Sequence, residues 1–492
     1  MAELLQYAQL AGRVYNRTPE NRTPVPDGWS ELNWQKDDGV SGFSAGAYRK
    51  GNEVVISFTG TNETMWKDFA VANIPAGWGL SSAQITQAMT FVLDTMKANP
   101  GTTITLTGHS LGGGLASVMA VFFDLQATIF DPAPFELSAR NPVVLGGLQA
   151  YLLANDYNNS AFDEYSQSLG TLFSQRETKV RSYYLDGEVL EALRVAVPVI
   201  AGAETEISAG NPSILDTANP LKLFGASVTM HSMTLLHSIM LSPSFAEAVK
   251  QQRRAIEVFF DTALYAKDPQ TSDQPDFMNL MLNKQLTDGS GSQGMLNALA
   301  DDLLRIDKIG TAGTKEINLG ILAALTEYYR YLEAPDQQGF VESIDGGIEL
   351  DLSRIAGNSD HRGQETLLRQ IRTWMGGQGE KGITPGSTDR VIIQSGSGGL
   401  QADQAGDDKS DLMIGASQED VISGGGGNDF LVGLNGADNF SGNEGNDDLY
   451  GGEGDDILEG GQGVDRLYGG TGADTYRFSS GDGIDLIYDT GG

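Results

Sequence analysis

Two rhythms of apolar and polar positions divide this chain. Up to about residue 395, short β-branched runs are interleaved with longer stretches that are apolar at three- and four-residue spacing. That pattern predicts strands and helices in turn. The clearest strands are Glu53–Phe58 (EVVISF), Thr103–Thr107 (TITLT), the run ATIFD ending at Asp131 and the run VRSYYLD ending at Asp186. Leu111–Phe123 reads as a helix. Residues 246–400 read as mainly helical, through SFAEAVKQQRRAIEVFFDTALYA and NLGILAALTEYYRYLEA, with breaks such as DGSGSQG (288–294). This stretch is expected to be a helical subdomain or cap with a linker, and the apolar run VAVPVIAG (195–202) suits a lipid-facing lid.

Beyond residue 400 the rhythm becomes nine. Asp411, Asp420, Asp429, Asp438, Asp447, Asp456, Asp465 and Asp474 stand nine apart. Two residues after each comes an apolar side chain: Met413, Ile422, Leu431, Phe440, Leu449, Leu458, Leu467 and Tyr476. Glycines precede the aspartates, as in Gly424-Gly425-x-Gly427, Gly451-Gly452-x-Gly454 and Gly460-Gly461-x-Gly463. A linker needs neither a period nor an apolar column, so the pattern predicts stacked units, each a glycine turn and a short strand. Glycine lets backbone carbonyls turn toward a cation, and aspartate adds the charged oxygens that Ca²⁺ prefers. The segment resembles the RTX nonapeptide repeat, G-G-x-G-x-D-x-U-x. That resemblance implies a parallel β-roll over 401–492, several calcium ions, and ligands from Asp420 through Asp474 with the glycines of the turns. It also implies secretion by a type I apparatus to the extracellular space. The terminal stretch TYRFSSGDGIDLIYDTGG resembles a post-repeat segment that continues further, so the sequence is expected to be cut short.

Composition narrows the partners. The formal charge is −33 with no cysteine, which excludes disulfides and thiolate metal sites and argues against nucleic acid. About half of the excess negative charge lies in the repeats. The start, MAELLQYAQLAGRVYNR, lacks the basic and apolar regions of a secretory signal peptide.

Candidate chemistry sits at Gly108-His109-Ser110-Leu111-Gly112. A nucleophile on a Gly-x-Ser-x-Gly turn needs a strand before it and a helix after it, and Ser110 has both. Gly42-Phe43-Ser44-Ala45-Gly46 has the same letters but leads into a turn, so Ser44 reads as structural. Of the four histidines, His231 and His237 are candidate bases. Six residues apart on a helix they point about 240° apart, so both cannot face one serine. His231 fits the entry to the helix and His237 a packed position within it. For the acid, Asp186 stands at a strand end before Gly187, with Asp131 and Glu188 as competitors.

VVISFTGTNETMWKDF, GHSLGGGLAS, LDGEV and the late histidine resemble the class 3 (fungal-type) lipases, over roughly residues 1–245. The resemblance implies an α/β hydrolase with helical insertions and a Ser110–His231–Asp186 triad. It makes Leu111 and Thr61 the oxyanion donors, and Thr59 stands where the family carries arginine. It further implies a lipid ester substrate met at a lipid–water interface or membrane surface, with triacylglycerol lipase or phospholipase A1 activity. The competing readings are a calcium-folded surface or toxin scaffold with an inactive hydrolase domain, or another serine hydrolase such as a short-chain esterase or peptidase.

Overall fold

The computed structural model describes residues 2–15, 22–36, 43–59, 82–157, 159–186, 199–208, 232–251, 259, 277–287, 294–306, 341–344, 347–351, 388–394, 404–415 and 419–489. The chain forms two compact units, Met1–Ala246 with Leu282–Gly289, and Glu247–Met281 with Ser290–Gly492.

In the first unit, α1 (Ala2–Arg13) precedes β1 (Ser30–Gln35), β2 (Ala45–Lys50) and β3 (Glu53–Phe58). There follow α2 (Ser82–Ala98), β4 (Thr103–His109), α3 (Leu111–Phe123), β5 (Gln126–Phe130), α4 (Glu136–Ala139), α5 (Pro142–Ala154), α6 (Ser160–Gln167), α7 (Leu169–Glu177), β6 (Val180–Leu185), β7 (Ala203–Ile207) and α8 (Met233–Leu241). Seven strands form one sheet in sequential order, antiparallel from β1 to β3 and parallel from β3 to β7. This is the α/β body that the alternating pattern predicts. β4 is buried on both faces from Ile104 to His109, as a central parallel strand requires. Helices α1 and α3 pack on β3, β4 and β5, and α1 also packs against α8.

Helix α3 is buried at every position and carries no charge. A helix so enclosed has no water for its last carbonyls. Arg176, on α7, meets that need. Its buried guanidinium donates to the carbonyls of Val121 (3.0 Å), Phe122 (3.1 Å) and Ala161 (3.0 Å), and to Glu164 (3.1 Å). The cation also faces the negative end of the helix dipole.

The second unit contains α9 (Met295–Ile306), β8 (Val341–Ile344), β9 (Gly347–Asp351), β10 (Thr388–Gln394) and the repeats. Between residues 246 and 400 the described residues include the helices Phe277–Thr287 and Met295–Ile306, and beside them the strands β8, β9 and β10. β10 is a β-branched run, RVIIQ, too short for a helix, and it pairs in parallel with the first long repeat strand. The sheet of the roll therefore starts before residue 401.

In the repeats, β11 (Gln404–Ala405), β12 (Ser410–Ile414), β13 (Val421–Gly426), β14 (Phe430–Asn435), β15 (Asn439–Glu444), β16 (Asp448–Glu453), β17 (Ile457–Gln462), β18 (Arg466–Thr471), β19 (Thr475–Arg477) and β20 (Leu486–Tyr488) alternate between two sheets. Each pairs in parallel with the strand two further on, so one full turn is eighteen residues, as in Leu431 opposite Leu449 and Phe440 opposite Leu458. Met413, Ile422, Leu431, Phe440, Leu449, Leu458 and Leu467 form one buried cluster, with Tyr476 against it. These are the apolar positions of the ninefold period.

Arg176→Ala leaves three buried carbonyls and Glu164 without their donor. Lost charged hydrogen bonds and buried orphan acceptors should cost about 3 kcal/mol. Urea unfolding at fixed calcium concentration should register that loss in the first unit.

Candidate functional site

Ser110 lies where β4 hands over to α3. Its backbone is at φ 58° and ψ −127°, a conformation costly for a residue with a Cβ. The surroundings impose it. Ser110 N donates to Phe130 O (3.0 Å), and Ser110 O accepts from Gly114 N and Ala133 N (both 3.0 Å). The two glycines of the motif make the turn possible. A Cβ on Gly108 would stand 2.4 Å from Gly112 O, and one on Gly112 would stand 2.1 Å from Phe58 O. No real side chain fits either gap. Leu111 begins α3, so its N–H, directly after the serine, has no partner within that helix. Ser44, by contrast, spends its hydroxyl on Gln35 O (2.8 Å), and its carbonyl accepts from Thr59 N (3.0 Å) and Thr59 Oγ1 (2.7 Å). Thr59 thereby braces the start of β2.

Asp186 directly follows β6, half-buried, with its N–H donated to Ile207 O (3.0 Å). Ser110 and Asp186 thus stand at the same edge of one sheet, two strands apart with β5 between them. His231, Thr61 and Glu188 lie outside the described residues. His237 is buried within α8, and burial pushes its imidazole down to about 4.

A polar chain that the sequence does not announce runs across this edge. The Tyr15 hydroxyl and His109 Nδ1 share a hydrogen bond. His109 Nε2 stands 3.7 Å from Asp131 Oδ2, and Asp131 Oδ1 accepts from Leu185 N (2.9 Å). Asp131 is fully buried and has φ 40°.

The roll carries the second cluster. Each repeat aspartate from Asp429 to Asp474 offers Oδ1 to the backbone N–H of the aspartate eighteen residues earlier. The contacts are Asp411 N to Asp429 (2.8 Å), Asp420 N to Asp438 (2.8 Å), Asp429 N to Asp447 (2.7 Å), Asp438 N to Asp456 (2.9 Å), Asp447 N to Asp465 (2.8 Å) and Asp456 N to Asp474 (3.0 Å). The series continues at a changed step, Asp465 N donating to Asp485 (3.1 Å), twenty residues on. Reading every ninth residue misses Asp485, and only the pairing of β20 with β18 exposes it.

The other oxygens are the chemically telling ones. Oδ2 of Asp429, Asp438, Asp447, Asp456, Asp465 and Asp474 is buried with no hydrogen-bond partner among the described residues. Burial, before any neighbouring charge, pushes Asp429 up to about 9, Asp438 to about 8, Asp447 to about 7, and Asp456 and Asp465 to about 6. At the first glycine of each turn, five residues before the aspartate, oxygens take the space a side chain would need. A Cβ on Gly451 would lie 2.1 Å from Asp456 Oδ2 and 2.7 Å from Gly469 O. Carboxylate and carbonyl oxygens therefore converge there, a donor set that suits a hard cation such as Ca²⁺. Among the described residues no group of three or more His, Cys, Asp or Glu gathers at one point. Main-chain carbonyls have to supply the balance.

Known families match the segments that hold the two clusters. Residues 6–222 match the family model of the Tle-like phospholipase domain. Residues 405–440 and 441–476 match that of the RTX calcium-binding nonapeptide repeat. The extracellular phospholipase A1 of Serratia liquefaciens is 30% identical over 141 residues, 29% of this chain and 42% of that protein. The chain thus spans under half the length of that relative. Among solved structures, a lipase from Rhizopus microsporus var. chinensis aligns at TM-score 0.28 and 15% identity, over 42% of this chain and 74% of the other. The triacylglyceride lipase of Rhizomucor miehei aligns at 0.25 and 16%, over 39% and 73%.

Two outcomes are expected. Gly112→Ala should force Phe58 or the elbow to move and lower reactivity at Ser110 by about 100-fold, read as the rate of fluorophosphonate labelling. The metal-free roll should respond to pH. Its aspartates hold protons to higher pH when folded than when unfolded, so stability is present below about pH 4 and falls as pH rises toward about 9. Circular dichroism in EDTA should show strand structure lost between pH 5 and 9, and saturating Ca²⁺ should abolish that dependence.

Proposed function

We propose that this chain, in which a Tle-like phospholipase domain precedes RTX calcium-binding repeats, is a secreted, calcium-dependent hydrolase of lipid carboxylic esters, with phospholipids as its substrate class. The observation that carries the reading is Ser110, held at positive φ by two sterically required glycines inside the phospholipase-matched segment. Strain of that kind on a serine has no structural benefit of its own, and it presents the side chain at the C-terminal ends of the strands of a parallel sheet.

The mechanism is acyl transfer. His231 takes the proton from Ser110 Oγ as it attacks the ester carbonyl. Asp186 fixes the imidazole tautomer and stabilises its cationic form. The N–H groups of Leu111 and Thr61 receive the developing oxyanion, each worth about 3 kcal/mol of barrier. The protonated histidine then gives its proton to the departing lysophospholipid alkoxide. Water, activated by the same base, attacks the acyl enzyme and releases the fatty acid. Calcium, when bound, neutralises the stacked carboxylates of the roll. Asp420, Asp429, Asp438, Asp447, Asp456, Asp465 and Asp474 are its carboxylate ligands in this reading, with the carbonyls of the glycine turns. Export by a type I apparatus, with folding in the calcium-rich exterior, follows from the same resemblance.

Purified chain with millimolar Ca²⁺ should release fatty acid from phosphatidylcholine vesicles. Ser110→Ala should abolish release, and Asp186→Asn should lower kcat about 10⁴-fold. Hydrolysis of triolein in preference to phosphatidylcholine would reassign the substrate to triacylglycerol. No Ser110-dependent hydrolysis of either would leave a calcium-folded scaffold.

A further inference from the structure

The rungs between β5 and β6 follow the parallel register up to Asp131, whose N–H donates to Tyr183 O (2.8 Å). In that register the next rung belongs to Leu185 N and the backbone carbonyl of residue 131. The rung is made differently. Asp131 turns to φ 40° ahead of Pro132, and its carboxylate accepts the Leu185 N–H at 2.9 Å in place of the main-chain carbonyl. The strand departs, yet the ladder gains one more rung, and that rung ends at the residue before Asp186. The same carboxylate is fully buried and turns its second oxygen toward His109, the residue before Ser110, at 3.7 Å. Tyr15 fixes that imidazole from the other side.

We propose that Asp131 is a positioning residue that sets Asp186 relative to Ser110. It acts on the acid through the main chain of Leu185 and on the nucleophile strand through His109, and it touches neither the substrate nor the reacting atoms. The assignment rests on the reading of Ser110 and Asp186 given above. Its physical basis is that catalytic geometry is sensitive at the ångström scale, and the N–H of residue 185 is one bond set away from the backbone of residue 186.

Two substitutions separate the carboxylate's roles. Asp131→Gly keeps the positive φ without strain and removes the acceptor. Asp131→Asn tolerates the same φ and keeps an oxygen for Leu185 N. Asp131→Gly should lower kcat and the fluorophosphonate labelling rate about 10- to 100-fold, with KM changed less than about twofold. Asp131→Asn should restore both to within about threefold of the parent. Amide hydrogen exchange at Leu185 should speed up in Asp131→Gly and not in Asp131→Asn. That exchange reports on the rung even if the parent shows no Ser110-dependent turnover, a result that would sink the catalytic reading alone. Wild-type kcat in Asp131→Gly would overturn the proposal. So would equal loss in both variants beside a nearly normal Asp186→Asn, because residue 131 would then be the acid itself.

Discussion

A parallel ladder runs out of backbone partners where its strands end, and in both units of this chain an aspartate carboxylate replaces the missing carbonyl. In the first unit Asp131 accepts the N–H of Leu185 after β5 has turned away. In the second, the repeat aspartates from Asp429 to Asp474 each accept the N–H of their counterpart one full turn earlier. Buried amides must find acceptors, and a carboxylate can supply one without committing the main chain. The two uses differ in what faces the second oxygen. Beside Asp131 it is an imidazole within the protein. In the roll no hydrogen-bond donor among the described residues meets it, and burial holds the carboxylates above their usual range. One device thus yields a rigid edge in one unit and an ion-dependent stack in the other.

Much of this was legible in the sequence, for a physical reason. A ninefold period with one aspartate and one apolar residue per unit leaves a single way to stack, and the seven residues from Met413 to Leu467 form the buried column. The elbow was legible because a strand, two glycines around a serine and an uncharged helix act over a few residues. Side-chain-to-backbone contacts across strands were not legible. Asp131 competes with Asp186 when only strand ends are visible, and its bond to Leu185 spans 54 positions of the chain. Tyr15 gave no signal at all, because one aromatic after an amphipathic helix is ordinary. Asp485 was hidden by a step of twenty in place of eighteen. The strand β10 was hidden because its short run lies between glycine-rich stretches inside the segment read as mainly helical.

Glycine is not the only residue the turns accept. Leu434 and Asn443 stand where other units carry glycine, and both adopt the positive φ of the residues they replace, 78° and 74°. Asn443 offsets the cost locally, its amide donating to Ser423 Oγ (2.9 Å) and Ser441 O (3.2 Å). Leu434 gains burial instead. The backbone geometry is therefore set by the stack, with sequence deviations absorbed side chain by side chain.

The alternation of strands between two sheets has a consequence for how such a tail can change length. On one sheet the outward positions Leu412, Ile414, Phe430, Val432 and Tyr450 are buried, and tyrosines 450, 468 and 488 stack at 4.2 and 4.6 Å. On the other, Val421, Asn439, Thr475 and Arg477 face water. Losing or duplicating a single nonapeptide would exchange the two roles for every strand downstream, sending aromatic rings into solvent and polar groups under cover. Growth by gene duplication is then quantised in pairs of units, a parity rule imposed by the unequal outsides of the coil and not by its metal sites.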